Sequence, residues 1–153
     1  MSALARHVNV HETAHASVGQ IMAMAASVAQ ELSERWRFDV TRLRVSLAGA
    51  VYQSGRQERV IEALLLGLSG IVDSNSARAA NVLALQQRMM AIRLSGRKIV
   101  AFHPARDLQF RLDGLGSWMD CLRVEAWGNG GRLLGSVERV LQIQHAGACI
   151  WAA

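Results

Sequence analysis

The period of the apolar residues changes partway along this chain, and that change constrains the fold more than any other feature. Ala14, Val18, Met22, Ala25, Ala29 and Leu32 recur every three or four positions, the spacing that lines one face of a helix. It predicts a long amphipathic helix from about Val10 to Arg35, in which Gly19 costs up to ~1 kcal/mol relative to alanine. From Phe38 the pattern switches. Leu43, Val45 and Leu47 alternate with Arg42, Arg44 and Ser46, placing apolar side chains on one face of a strand and cations on the other. Gln53-Ser54-Gly55 signals a turn, and a second helix runs from about Arg56 to Val72. Asp73-Ser74-Asn75-Ser76 then offers N-caps for a third helix, Ala77 to Leu94, closed by Gly96. The last third holds short apolar or alternating runs: Ile99 to Phe102, Leu108 to Leu112, Cys121 to Trp127 and Arg132 to Gln144. Asn129-Gly130-Gly131 reads as a hairpin loop between the final two. The expectation is an α+β fold, with a helix-rich N-terminal two-thirds packed on a C-terminal antiparallel sheet, residues 1–153 forming a single domain.

Composition narrows the class. The 153 residues are 51% hydrophobic and 19% charged, too apolar for an intrinsically disordered chain. The balance of 17 Lys+Arg against 12 Asp+Glu gives a net charge of +5, which tolerates an anionic partner without requiring one. All but one of the cations are arginines, Lys98 being the exception. The N-terminal residues contain no signal-peptide core. The most apolar runs, Ile21 to Ala29 and Ala63 to Val72, are about half the ~18 residues that span a bilayer. The expectation is therefore a soluble, unexported, cytoplasmic protein with no membrane partner. Cys121 and Cys149 stand far apart, without the C-x-x-C of a zinc ribbon or a thioredoxin-type site, and read as two buried thiols.

His11-Glu12-Thr13-Ala14-His15 fits H-E-x-x-H. Histidines at i and i+4 lie one turn apart on the same helix face and can share a Zn²⁺ ion. The glutamate between them can take a proton from zinc-bound water, whose pKa the metal lowers towards ~7. His11 and His15 fall on the stripe of Ala14, Val18 and Met22, so they are expected to face the interior. His103 and His145 are more distant candidate ligands. Asp107, Asp113 and Asp120 sit around turns, where aspartates are usually solvated or capping.

The stretch His11 to Gly19, HETAHASVG, resembles the H-E-x-G-H-A-x-x-G stretch of the FtsH-type zinc metalloprotease domain. The order of the later elements is also similar: a strand (Thr41 to Leu47), a Leu/Gly-rich helix, then Ser74 to Ala80 leading into a further helix with Arg88-Met89. The resemblance covers at most residues 8–94 and is specific over nine of them. It implies His11 and His15 as zinc ligands and Glu12 as the base. The family's third ligand, an aspartate, has its place taken by Ser76 or Ala77, and Asp73 is the nearest carboxylate. On this reading the chain is a small zinc-dependent metallohydrolase, peptidase-like or a degenerate relative of one, acting on a peptide or protein.

The alternative is a non-catalytic basic module that binds a protein partner or nucleic acid. Arg42, Arg44, Arg97, Lys98, Arg106, Arg111 and Arg123 lie on or beside the predicted sheet, interleaved with Phe102, Phe110, Trp118 and Trp127. Cations and aromatics on one sheet can contact phosphates and stack bases. The helices carrying Met22, Met24, Met89 and Met90 could also mate with a second copy, since methionine suits adaptable contacts.

Overall fold

The computed structural model describes residues 18–48, 57–73, 75–111 and 120–141. Its elements follow the order α1 (Val18–Trp36), β1 (Arg42–Ala48), α2 (Gln57–Leu68), α3 (Ala77–Met89), β2 (Ala91–Leu94), β3 (Lys98–Ala101), α4 (Pro104–Asp107), β4 (Leu108–Arg111), β5 (Asp120–Trp127) and β6 (Leu133–Leu141). The fold is α+β, with helices mainly in the N-terminal part and most strands in the C-terminal part. No described helix is long and apolar enough to cross a membrane.

The sheet is mixed. Its strands run β2-β3-β1-β5-β6, with β4 also paired to β1. β5 pairs antiparallel with the whole of β1, from Arg42↔Trp127 to Ala48↔Cys121. The other edge of β1 is shared: β3 meets it in parallel at Arg42↔Ala101, and β4 meets it in parallel from Val45↔Leu108 to Ala48↔Arg111. Between those contacts the chain leaves the sheet edge and makes the single turn of α4. Pro104 sits in the first turn of that helix, where its missing N–H is no loss, and Nδ1 of the His103 side chain accepts a hydrogen bond from the Ala105 N–H at 3.2 Å.

Alternation along the strands sets the two faces of the sheet. Leu43, Val45 and Leu47 of β1 lie opposite Ala126, Val124 and Leu122 of β5, and all six are buried. α1 packs this face against β5 and β6, while α2 and α3 pack against β2. Ile21, Ala25, Val28 and Leu32 form the buried stripe of α1, and Val60, Leu64 and Leu68 that of α2. Gly67 allows the two helices to approach closely: a Cβ there would stand 2.6 Å from that of Ala25.

The expected third helix is shorter than its pattern suggests. Ser76 caps its start, its side chain accepting from the Ala79 N–H at 3.1 Å. The helix closes at Met90, which takes the left-handed conformation, and Ala91–Leu94 pairs instead with Lys98–Ala101. Gly96, φ 73°, belongs to the turn of that hairpin rather than to a helix end. The loop at Asn129–Gly131 joins β5 to β6 as expected. Cys121 is disulfide-bonded, which replaces the expected buried thiol at that position.

Candidate functional site

The face of the sheet turned away from α1 carries the alternate set of β1 and β5 side chains. Arg42, Arg44 and Ser46 lie opposite Trp127, Glu125 and Arg123. β4 adds Gln109 and Arg111 beside Ser46 and Ala48. All of these except Arg42 and Ala48, with Val45 of β1 and Arg106 and Asp107 from α4, line a cleft of about 310 Å³. A neighbouring cleft of about 380 Å³ continues along Thr41, Arg42 and the Gly128–Gly131 loop, and Arg44 and Trp127 line both.

Two arginines in this region pair with the same carboxylate. The Asp107 side chain is completely buried, and it accepts hydrogen bonds from Arg42 Nε at 3.0 Å, Arg106 Nε at 3.0 Å and the His103 backbone N–H at 3.0 Å. Burial alone pushes the Asp107 carboxyl up. The hydrogen bonds from Arg106, the His103 N–H and Arg42 outweigh it and hold the group below the ordinary aspartate value. The same pairing raises Arg106. Asp107 is therefore a structural anion that ties the α4 turn to β1, not the solvated or capping aspartate expected from its place near a turn.

The remaining charges are more loosely held. Arg44 is exposed, its guanidinium carbon 6.0 Å from the centre of the Trp127 ring, and it makes no ion pair among the described residues. Arg123 stands 3.8 Å from a carboxylate oxygen of Glu125 and 3.8 Å from one of Glu138, and its Nε is buried without a hydrogen-bond partner. Trp127 Nε1 donates to Glu125 at 3.4 Å. The cleft lining holds four arginines and two carboxylates, a net of two positive charges. A carboxylate locked in its ionised form by guanidinium groups is poorly suited to proton transfer near neutral pH.

The cation-and-aromatic reading located this face only in part. It brings together Arg44, Arg106, Arg111, Arg123 and Trp127. Phe102 belongs to the core and offers no face for a stacked base, Phe110 is half-buried against that core, and Trp118 lies outside the described residues. Arg97 lines a separate cleft with Trp36 and Phe38, and Lys98 donates to the Phe38 carbonyl at 3.1 Å. The partners that decide which arginines remain available, Asp107 and Glu125, were not part of that pattern.

Of the proposed zinc site, His11, Glu12 and His15 lie outside the described residues, as does His145. Asp73 stands between α2 and α3, where Oδ1 accepts from the Asn75 N–H at 3.0 Å and its carbonyl accepts from the Ser76 hydroxyl at 3.0 Å. His103 caps α4. Among the described residues no group of three or more His, Cys, Asp or Glu side chains could hold a metal ion.

A family model for the serine dehydratase beta chain matches residues 13–139. No curated protein matches the chain. The family match overturns the resemblance to the FtsH-type zinc metalloprotease domain, and with it the zinc cofactor and the metallohydrolase activity. The matched region begins inside the HETAH pattern and runs through the sheet, for which the metalloprotease resemblance had no counterpart. A catalytic zinc site takes three protein ligands and leaves the fourth position to water, and Asp73, the candidate third ligand, has the contacts of a turn aspartate.

Proposed function

This chain belongs to the serine dehydratase beta-chain family, and from that membership we propose that it is the companion subunit of a serine dehydratase, working beside a second chain that carries out the dehydration. The match across residues 13–139 carries this reading. The name of the family describes one chain of a multi-chain enzyme, which supports a protein partner rather than nucleic acid. A place in the cytoplasm, beside a metabolic enzyme, goes with the same reading.

The family is related to iron–sulfur serine dehydratases, and the residues of this chain do not fit such a cluster. Clusters are held by cysteine thiolates, ordinarily four. These 153 residues include two cysteines, and Cys121 is already disulfide-bonded. This chain therefore leaves the cluster to its partner. Its own contribution is recognition: the sheet presents ordered arginines on one face while α1, α2 and α3 cover the other.

Metal analysis and co-purification test the reading together. Treated with iron and sulfide alone, the chain is expected to retain neither. Co-expressed with the cluster-bearing chain of the serine dehydratase from its own source, it is expected to elute in one complex. Iron and sulfide retained by the isolated chain, or two chains that elute separately, would overturn it.

A further inference from the structure

The geometry points to the arginine cleft on the outer face of β1, β4 and β5 as a binding site for a small dianion, anchored by Arg44 and Arg123. Three observations carry this.

The first is the charge remaining after internal pairing. Asp107 is satisfied by Arg42, Arg106 and the His103 N–H, so its negative charge is already compensated within the fold. Arg44 has no carboxylate partner among the described residues, although Glu125 stands directly opposite it in the sheet register. Glu125 lies instead nearer Arg123 and the Trp127 indole. An arginine and a glutamate in register without an ion pair leave the guanidinium available to another anion.

The second is Arg123. Its Nε is a buried donor with no hydrogen-bond partner, and both nearby carboxylates stop at 3.8 Å. A buried donor left without a partner is costly, a cost that an oxyanion within reach would relieve.

The third is spacing. Arg123 is opposite Ser46, two residues from Arg44, so the two arginines are diagonal neighbours on adjacent strands. Such positions are roughly 7–8 Å apart at the backbone. Two long side chains rooted at that separation suit a molecule with two oxyanion groups or one doubly charged group, each met by the planar fork of a guanidinium. A volume near 310 Å³ is at the small end of ligand sites, the size of a metabolite rather than a polymer.

Dicarboxylates and phosphate share this chemistry, and calorimetric titration of the full chain at low ionic strength with malonate and with inorganic phosphate separates them. One or both should bind, more weakly as salt is added. R44Q should weaken binding roughly tenfold or more, the loss expected for a charge-assisted contact. E125Q should tighten it by removing a nearby negative charge. R132Q, on the exposed loop outside the cleft, should leave it unchanged, and thermal unfolding of each variant checks that it is folded. Binding of malonate alone assigns a dicarboxylate, and binding of phosphate alone a phosphate-bearing ligand. Failure of both to bind the wild-type chain overturns the site, as does R44Q binding as tightly as wild type. Heat from L-serine alone would overturn the dianion in favour of a zwitterion. The titration uses this chain by itself, so its outcome is separate from that of the companion-subunit reading.

Discussion

Arg42 donates from Nε to Oδ1 of Asp107 across 3.0 Å, joining the first residue of the central strand β1 to the last residue of the α4 turn. The position of that bond explains its role. β3 and β4 share one edge of β1, and the chain between them must leave the sheet and return in register. Asp107 is the last residue before β4 resumes pairing at Leu108, and its three donors come from β1, α4 and the segment just before α4.

D107N is expected to destabilise the protein by about 2 kcal/mol or more. Removing one partner of a buried ion pair leaves the others uncompensated, though both arginines keep some access to water and the loss is correspondingly below the upper range for such pairs. Urea unfolding followed by circular dichroism measures it as a lower midpoint at unchanged slope. A midpoint equal to wild type would show that the carboxylate charge is not needed there.

The same residue gives the protein an acid-sensitive contribution. The folded-state pKa of Asp107 is held below its ordinary value of 3.8, so at pH values around and below 3.8 the unfolded chain binds more protons than the folded one. The stabilisation is therefore complete above that value and is lost as pH falls through the folded pKa. Glu31, lowered chiefly by its hydrogen bond from Arg139, acts in the same direction. The stability gap between wild type and D107N should be constant from pH 7 to about pH 5 and shrink below about pH 4. A gap that widens on acidification would contradict the assignment.

G67A sets helix propensity against packing. In an open helix the substitution would gain up to about 1 kcal/mol. Here the new methyl would meet the Met22 carbonyl and stand 2.6 Å from Ala25 Cβ, so α1 and α2 must separate. Overpacking of this kind typically costs about 1–3 kcal/mol, and a net loss is expected in thermal or urea unfolding. A stabilised G67A variant would mean that the two helices are less closely apposed.

The ion pair between Glu31 and Arg139, at 2.7 Å, links α1 to β6 but is about one-third exposed on both sides. E31Q should therefore cost under about 1 kcal/mol, and less at high salt. Measured beside D107N, it separates a solvated bridge from a buried one. Equal losses in the two variants would contradict the difference in burial.

The period switch made much of this fold legible. Alternating residues marked both faces of β1, and α1, α2 and the β5–β6 hairpin followed from spacing and turn residues. The end of α3 did not. Ala91-Ile92-Arg93-Leu94 is too short for its period to separate a helix from a strand, and only its pairing with Lys98–Ala101 decides the matter. The parallel pairing of β1 with β4 was also hidden, because it depends on a one-turn helix placed between partners far apart in sequence. At the candidate site the arginines were visible as types, whereas the burial of Asp107, which removes Arg42 and Arg106 from the available set, exists only once the chain is folded. The zinc reading came from a short pattern at one end of the chain, and the family match draws on 127 positions instead, residues 13–139.

The most direct test of the companion role is the rate of serine dehydration by the cluster-bearing chain, assayed with and without the present one. Companionship predicts that the present chain alone converts no serine and that adding it raises the rate of the other, with saturation at a fixed stoichiometry. Turnover of serine by the isolated chain, or a rate indifferent to its addition, would contradict that role.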